Sequence, residues 1–231
     1  MKFVLASCVS LLALASCQSG LGEGPIDGRV YEVQLEGGAA PMPDVLVFDG
    51  ARFESSACRP FGFVGGPYQA MVGGDATSFE ATAKCDKSGT TAWSGKIHGG
   101  SIQGTLCWTD AAGKVTNMRF HGATAKGALD GRTFVGMICE GNKTTGDEDT
   151  INFSSGGFES VACRPYGFAI TPYTTSTDGG ATRFTATAIN AGGDQNLWEG
   201  TLNGSEMTGT MKHMDASGKV LDQYRWIAHA K

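Results

Sequence analysis

The residues of this chain that could do chemistry cluster in a phrase that occurs twice. Residues 57–63 read Ala-Cys-Arg-Pro-Phe-Gly-Phe with Pro-Tyr at 67–68, and residues 162–168 read Ala-Cys-Arg-Pro-Tyr-Gly-Phe with Pro-Tyr at 172–173. Arg59 and Arg164 could bind an anionic group, with Tyr68 and Tyr173 alongside. In the structural interpretation, which we favour, proline and glycine shape a chain reversal and the aromatic residues close one end of a fold.

The phrase belongs to a longer internal duplication. Residues 53–115 align with residues 158–220 at a constant offset of 105 without a gap, and 28 of the 63 paired positions are identical. Ile26-Asp27-Gly28-Arg29 is echoed by Leu129-Asp130-Gly131-Arg132, which marks the start of each unit. We therefore predict two repeat units, 26–125 and 126–231, each large enough to bury a core.

Both units are predicted to be all-β. The chain has 35 glycines and 7 prolines, and no window shows a convincing 3.6-residue apolar period. Asp49-Gly50 between two apolar runs predicts a hairpin turn. The predicted strands of the first unit are 29–36, 44–48, 52–56, 68–72, 78–85, 91–99, 101–109 and 115–123.

Alternation within these strands predicts which side chains face inward. Phe79 and Trp93 fall on the inward face, and the second unit repeats this arrangement. About eight sequential antiparallel strands can form a meander that closes into a small up-and-down barrel. Inward glycines at 95, 99 and 104 suit the bends that closure needs.

This pattern resembles the up-and-down barrels of the lipocalin and avidin type, present twice in tandem. The resemblance lies in the strand pattern of each unit, and no diagnostic motif of either family is matched. A pair of β-sandwiches is the alternative architecture.

The first residues are predicted to be a processing signal. Met1-Lys2 is followed by an apolar run that is too short to span a bilayer, which needs about 20 residues. The run ends in Leu14-Ala15-Ser16-Cys17, which resembles the lipobox of bacterial lipoproteins. The resemblance implies that residues 1–16 are removed, that Cys17 is lipidated, and that 17–25 form a flexible tether. Gln18 after the cysteine implies the outer membrane of a Gram-negative cell, facing the periplasm. Cell-surface exposure or plain secretion is the alternative.

Charge excludes one class of partner. The chain has 18 basic and 23 acidic residues, a net charge of −5. Proteins that bind nucleic acids cluster lysine and arginine to neutralise phosphates. We therefore expect no nucleic acid partner, and a membrane contact only through the lipid on Cys17.

The cysteines leave several pairings open in a compartment that permits disulfides. Cys58 and Cys163 hold equivalent places and could link the two units, whereas Cys139–Cys163 could form within the second unit. Cys85 and Cys107 are predicted to lie on opposite faces of their strands, which argues against a bridge between them. Because the five cysteines after Cys17 are odd in number, at least one thiol is free or pairs between chains.

Catalytic and metal-binding patterns are thin. None of the four histidines is matched by a histidine in the other unit, so no histidine site is shared by the two. The sequence contains no nucleophile elbow, zinc-protease or phosphate-loop motif. The acidic segment 147–149 is best interpreted as a solvated loop. We therefore predict no enzyme, no cofactor and no metal.

Two non-enzymatic functions remain. The first is a structural or protein-interaction role in the cell envelope, with filled barrels and envelope proteins as partners. The alternative is the binding of a small apolar or anionic ligand in the barrel interiors, around Trp93 and Trp198. A hydrolase without a recognisable motif is the remote third.

Overall fold

Two closed antiparallel barrels follow one another along the chain. The computed structural model describes residues 24–38 and 40–231. The predicted signal peptide, 1–16, and the lipidation site, Cys17, lie outside the described residues. The described residues contain no helix that is long and apolar enough to cross a membrane.

Barrel one has eight strands and one short helix. Its elements are β1 (Arg29–Glu36), β2 (Met42–Asp49), β3 (Arg52–Ser55), the 3₁₀ helix η1 (Ser56–Phe61), β4 (Gly66–Gly73), β5 (Ala76–Cys85), β6 (Gly89–His98), β7 (Ser101–Thr109) and β8 (Val115–Thr124). Each strand pairs with the next, and β1 pairs with β8 to close the sheet.

Barrel two repeats this order. Its elements are β9 (Thr133–Glu140), β10 (Asp147–Ser154), β11 (Gly157–Ser160), the 3₁₀ helix η2 (Val161–Tyr166), β12 (Thr171–Asp178), β13 (Ala181–Ile189), β14 (Gln195–Asn203), β15 (Glu206–Met214) and β16 (Val220–Ala230). Pairing of β9 with β16 closes it. The prediction of two eight-stranded up-and-down barrels is confirmed, and the sandwich alternative is excluded because each sheet closes on itself.

Alternation places the side chains as predicted. On β5, Phe79, Ala81 and Ala83 are at most 5% exposed, while Glu80 and Thr82 between them are exposed. On β6, Trp93 is 2% exposed. A side-chain period of two therefore identified the inner face of these strands correctly.

Two turn predictions need correction. The hairpin between β2 and β3 turns at Gly50-Ala51, with φ of 57° and 59°, one residue later than predicted, because Asp49 still belongs to β2 and pairs with Arg52. Gly99 does not face inward. It has φ +56° and lies in the turn between β6 and β7, with open space around it, so it reverses the chain rather than bending a strand.

Gly95 and Gly104 do face the interior. They are partners across β6 and β7. A Cβ on Gly95 would lie 2.6 Å from Cε1 of Phe79, and a Cβ on Gly104 would lie 2.6 Å from Cζ of Phe120. The paired glycines therefore make room for aromatic rings in the barrel.

Aromatic side chains fill both interiors. In barrel one, the ring centroid of Phe48 lies 5.2 Å from Phe53 and 4.9 Å from Phe79, and Trp93 lies 5.1 Å from Phe53. Barrel two repeats this packing with Phe153, Phe158, Phe184, Trp198 and Trp226, whose neighbouring rings are 5.0 to 6.0 Å apart. Close aromatic packing adds to the free energy gained from burial alone.

The constant offset between the units ends at a β-bulge. The register of β15 and β16 shifts between His213 and Met214. As a result Asp222 pairs with His213, whereas Thr116 pairs with the equivalent Trp108 in barrel one. From this bulge onward, structurally equivalent residues differ by 106, which is why the gapless alignment stops at Val220.

The barrels contact each other through a small apolar cluster and one backbone-to-carboxylate hydrogen bond. Val30 and Val47 of barrel one are buried together with Ala125 of the connection, and Ile170 of barrel two packs against them. The backbone N–H of Ile170 donates a hydrogen bond of 2.9 Å to the Asp49 carboxylate. The predicted boundary at 125/126 lies in the connection between β8, which ends at Thr124, and β9, which begins at Thr133.

Candidate functional site

The duplicated phrase forms the two 3₁₀ helices, which are fixed to their barrels by a buried aspartate. The Asp44 carboxylate accepts hydrogen bonds from the Ser55 hydroxyl at 2.6 Å and from the N–H of Ala57 at 2.8 Å. Asp149 binds Ser160 and Ala162 at the same two distances. Burial outweighs these bonds and raises the pKa of both carboxyls.

The predicted arginines pair with nearby glutamates. Arg59 lies 2.6 Å from Glu54, and Arg164 forms the equivalent ion pair with Glu159. Arg164 also lies near Asp49 of barrel one and helps to hold down the pKa of that carboxyl, which burial raises. Together with Asp49 and Glu159 it lines a cavity of about 380 Å³ where the barrels meet.

The predicted tyrosines have other partners. Tyr68 is buried and its hydroxyl donates to the Asp27 carboxylate. The Tyr173 hydroxyl lies 3.0 Å from Asp130 and accepts from the N–H of Leu129 at the same distance. Burial raises the pKa of both phenols. Arginine and tyrosine of each phrase thus contact different acidic groups, and their role in ligand binding stays a prediction.

Trp93 and Trp198 lie inside the packed interiors. They are 2% and 0% exposed. The indole N–H of Trp93 is buried without a hydrogen-bond partner, as is that of Trp226, which costs free energy relative to a paired group. Their predicted contact with a ligand stays a prediction, and the observed contacts are with other aromatic rings.

The five described cysteines are free thiols. Neither predicted pair, Cys58–Cys163 or Cys139–Cys163, is bonded in the structure. Cys58 packs against the core of barrel one and Cys163 against the core of barrel two. Burial raises the pKa of Cys58 to about 11 and raises that of Cys163, as expected for thiols in apolar surroundings.

A cavity of about 740 Å³ opens where η2 crosses one end of barrel two, and we call it the mouth of barrel two. The buried Asn196 joins two other polar groups there. Its Oδ1 lies 2.8 Å from Nδ1 of His213, and its Nδ2 lies 3.6 Å from Sγ of Cys163. Since a carbonyl oxygen only accepts, Nδ1 of His213 is the donor, which leaves Nε2 as the other polar atom of the ring. The cavity is lined by Ile138, Asp147, Ala162, Cys163, Tyr166, Phe168, Asn190, Asp194, Asn196, Met211, His213, Asp222 and Tyr224.

The same end of barrel one carries an indole ring in place of the imidazole. Trp108 occupies the position of His213, and its ring lies 5.1 Å from that of Phe61. Its N–H donates to the Ser88 carbonyl at 2.8 Å. Thr91 replaces Asn196, and its buried hydroxyl has no partner. The two barrels therefore share one architecture but differ in the side chains at this end.

Asn196 and His213 were not among the predicted site residues. The predicted ligand-binding residues occupy positions that both units share, whereas this site lies where the units differ. A signal for this site was nevertheless present in the sequence. At two matched positions the units differ: Trp108 of the first unit corresponds to His213 of the second, and Cys85 corresponds to Asn190. Such exchanges on an inward face change the shape and polarity of a barrel end.

Comparisons with known proteins assign the chain to no family. No family model matches the chain, and no curated protein matches it. One similar solved structure is a Bacteroides fragilis protein whose assignment to the outer membrane is provisional: 9% identity, 90% of this chain and 96% of that one covered, TM-score 0.30. Another is a DUF3598-family protein of unknown function from Nostoc punctiforme: 10% identity, 88% and 96% covered, TM-score 0.25. Both TM-scores are below 0.5, so the fold assignment rests on the strand pairing described above.

The described residues contain no group of three or more histidine, cysteine or acidic side chains arranged to hold a metal ion. What the mouth of barrel two offers instead is a concave surface with a few polar groups directed into it, the usual form of a small-molecule site.

Proposed function

We propose that this protein is a non-enzymatic lipoprotein of the cell envelope, anchored through Cys17 in the outer membrane, with a structural or protein-interaction role. The observation that carries the role is the aromatic packing inside both barrels. Trp93 and Trp198 contact other rings, so a ligand in either interior would have to displace core side chains. Function is then expected at the outer surfaces and the barrel ends.

The anchor supports the proposed location. An acyl chain gains about 0.8 kcal/mol for each methylene buried in a membrane, and two or more chains bind stably. The first strand of barrel one begins at Arg29, so only a short segment separates the predicted lipid on Cys17 from the barrel. The protein would thus be held close to the membrane surface.

Fractionation of a Gram-negative host tests the anchor. The wild-type chain should sediment with the outer membrane, and Cys17→Ser should be released into the soluble periplasmic fraction. Cys8→Ser, which changes the other cysteine of the leader, should behave as the wild type. A Cys17→Ser variant that stays in the outer membrane would contradict lipid anchoring.

Native mass spectrometry of the mature Cys17→Ser chain tests the filled interiors. We expect the bare polypeptide mass, because the core side chains occupy the barrels. Trp93→Ala or Trp198→Ala should lower the free energy of unfolding by about 3–5 kcal/mol, as for a packed core aromatic residue. A retained extra mass, lost in the tryptophan variants while the fold persists, would establish an interior ligand and overturn this part of the proposal.

A further inference from the structure

The two barrel ends crossed by η1 and η2 are built from the same phrase, yet they differ at matched positions, and the mouth of barrel two is a cavity lined by polar side chains. In barrel one, the ring of Trp108 packs against that of Phe61 at an interplanar angle of 56°. In barrel two, His213 bonds to Asn196 instead, and Tyr166 is 73% exposed. The two barrels thus differ at the end crossed by η1 or η2, whereas their interiors are both packed with aromatic rings.

The polar floor of the cavity is fixed before any ligand arrives. Asn196 is 3% exposed and is held from both sides by His213 and Cys163. His213 is held in turn by an edge-on contact with the ring of Phe168, at 6.0 Å between centroids. Groups positioned in this way lose little conformational freedom on binding.

The lining of the cavity has one sign of charge. Asp147, Asp194 and Asp222 line it, and no lysine or arginine does. Burial raises the pKa of Tyr224, and the charges of Asp222 and Glu140 raise it further. A concave site lined by carboxylates attracts cations.

The corresponding end of barrel one has none of these carboxylates. Strand register and the repeat offset match Asp147 with Met42, Asp194 with Gly89, and Asp222 with Thr116. The matched positions of barrel one are thus uncharged, which makes barrel one an internal control.

Aromatic and apolar side chains form the remaining walls. Tyr166, Phe168 and Tyr224 are the aromatic contributors, and Ile138 and Met211 are the apolar ones. Aromatic faces attract organic cations through the ring quadrupole, and the apolar walls gain free energy by covering carbon. Acidic, aromatic and apolar groups together match a ligand with a positive charge on a hydrophobic body.

We propose that the mouth of barrel two binds a small organic cation, an amine attached to an aromatic or other apolar group, and that barrel one does not. The ammonium group is held among the carboxylates near the rim, and the apolar group covers Phe168 and Met211. This inference goes beyond the envelope role and is independent of the lipid anchor.

Titration of the mature Cys17→Ser chain with three matched probes tests the proposal. The probes are 2-phenylethylamine, which is cationic, 2-phenylethanol, which is neutral, and 3-phenylpropionate, which is anionic. Binding is followed by amide NMR, in which the side-chain amides of Asn190 and Asn196 report the location. We expect saturable binding of the amine with a dissociation constant of about 1 mM or tighter, and binding of the other two at least about tenfold weaker.

Two sets of variants locate the site. His213→Trp introduces the residue of barrel one and should abolish amine binding. Asp147→Asn combined with Asp222→Asn changes two exposed side chains, so the fold should persist while the amine binds about tenfold more weakly. Asp75→Asn, an exposed carboxylate of barrel one, is the matched control and should leave the affinity unchanged.

Three results would overturn the proposal. The first is no saturable binding of the amine. The second is equal binding of all three probes, which would make the mouth an apolar surface without charge selection. The third is an affinity that the Asp147→Asn/Asp222→Asn variant and the Asp75→Asn control change alike. Because the soluble Cys17→Ser chain is used, failure of this test leaves the anchoring experiment unaffected.

Discussion

Cysteine thiols in this chain differ in their local environment, and we expect them to differ in reactivity for that reason. Burial raises the pKa of Cys58 to about 11 and raises that of Cys163. The pKa of Cys85 is lowered, chiefly by hydrogen bonds from the backbone at Lys87 and Ser88. Because the thiolate is the nucleophile, iodoacetamide near pH 8 should modify Cys85 well before Cys58 and Cys163, as followed by peptide mass spectrometry over time.

The same measurement tests the disulfide pairings. Denaturation before labelling should expose every thiol and give full modification of Cys58, Cys139 and Cys163 without a reductant. Modification that appears only after reduction would establish a bridge and contradict the free thiols of the structure. Cys85→Ser is the matched control, because it should remove the fast phase and leave the slow phase unchanged.

Asp44 and Asp149 should give stability a pH dependence of unusual sign. Burial raises the pKa of both carboxyls above the ordinary value of 3.8. Between that ordinary pKa and the raised pKa of the folded state, the folded protein therefore binds more protons than the unfolded chain does. The free energy of unfolding therefore falls as pH rises through this window. Asp44→Asn should flatten that slope in urea titrations from about pH 3 to pH 7, with Asp149→Asn as the matched variant.

Removal of the whole side chain should be more damaging at any pH. Asp44→Ala leaves the Ser55 hydroxyl and the N–H of Ala57 without their acceptor, at a cost of about 1–3 kcal/mol each. Parallel pH profiles for the wild type and Asp44→Asn would show that the carboxyl titrates normally and would contradict the predicted slope.

At the scale of the element, the paired glycines of β6 and β7 decide whether barrel one can hold its rings. A Cβ on Gly104 would lie 2.1 Å from the Ser94 carbonyl oxygen and 2.6 Å from Phe120. Backbone cannot move aside at low cost, so Gly104→Ala should lower the free energy of unfolding by about 1–3 kcal/mol. Denaturant titration measures the change.

Gly73→Ala is the control for that prediction. Gly73 lies at the end of β4, and a Cβ there would meet nothing within 4 Å. We expect a change within about 0.5 kcal/mol, as for most surface substitutions. Equal effects of the two substitutions would mean that conformational entropy of glycine, rather than crowding, sets the cost.

Strand positions of barrel one were predictable from the sequence to within two residues at each end, because alternation and turn residues are local signals. The prediction of a solvated loop at 147–149 was wrong, since these residues begin β10 and Asp149 is 3% exposed. β1 and β7 match the prediction fully. The turn at Gly50-Ala51 was displaced by one residue because strand pairing continues through Asp49. The pattern also gave no indication of η1 and η2 as helices, since a single 3₁₀ turn has no apolar period to detect.

The candidate site was less predictable, for a physical reason. Alternation says which face of a strand His213 occupies, but not whether η2 covers that end. The opening depends on contacts between residues far apart in the chain, such as Asn196 with Cys163. Arg59 and Tyr68 were candidates for one shared ligand site, yet their acidic partners, Glu54 and Asp27, belong to different segments.

At the scale of the whole molecule, one half-buried carboxylate links the barrels. Asp49 accepts the hydrogen bond from Ile170 and lies in the field of Arg164. Asp49→Ala should leave the N–H of Ile170 unpaired and weaken the contact by about 1–3 kcal/mol. Scanning calorimetry should then separate one unfolding transition into two, whereas Asp49→Asn, which keeps an acceptor, should change the profile less. An unchanged single transition in Asp49→Ala would mean that the apolar cluster alone couples the barrels.

Closure of both sheets restricts how another protein can recognise this one. Each of the sixteen strands in the described residues has a hydrogen-bonded partner on both sides. Over most of each sheet a partner therefore cannot bind by β-strand addition, the mode in which an extended peptide extends a sheet through its main chain. The exceptions are the short β3–β4 and β11–β12 pairings, which comprise two residue pairs each and leave most of β4 and β12 unpaired on that side. Elsewhere recognition must use side chains on the barrel walls, in the loops or at the two barrel ends. Specificity in such contacts evolves by substitution at single positions, and the exchange of Trp108 for His213 between the repeats is a change of this kind.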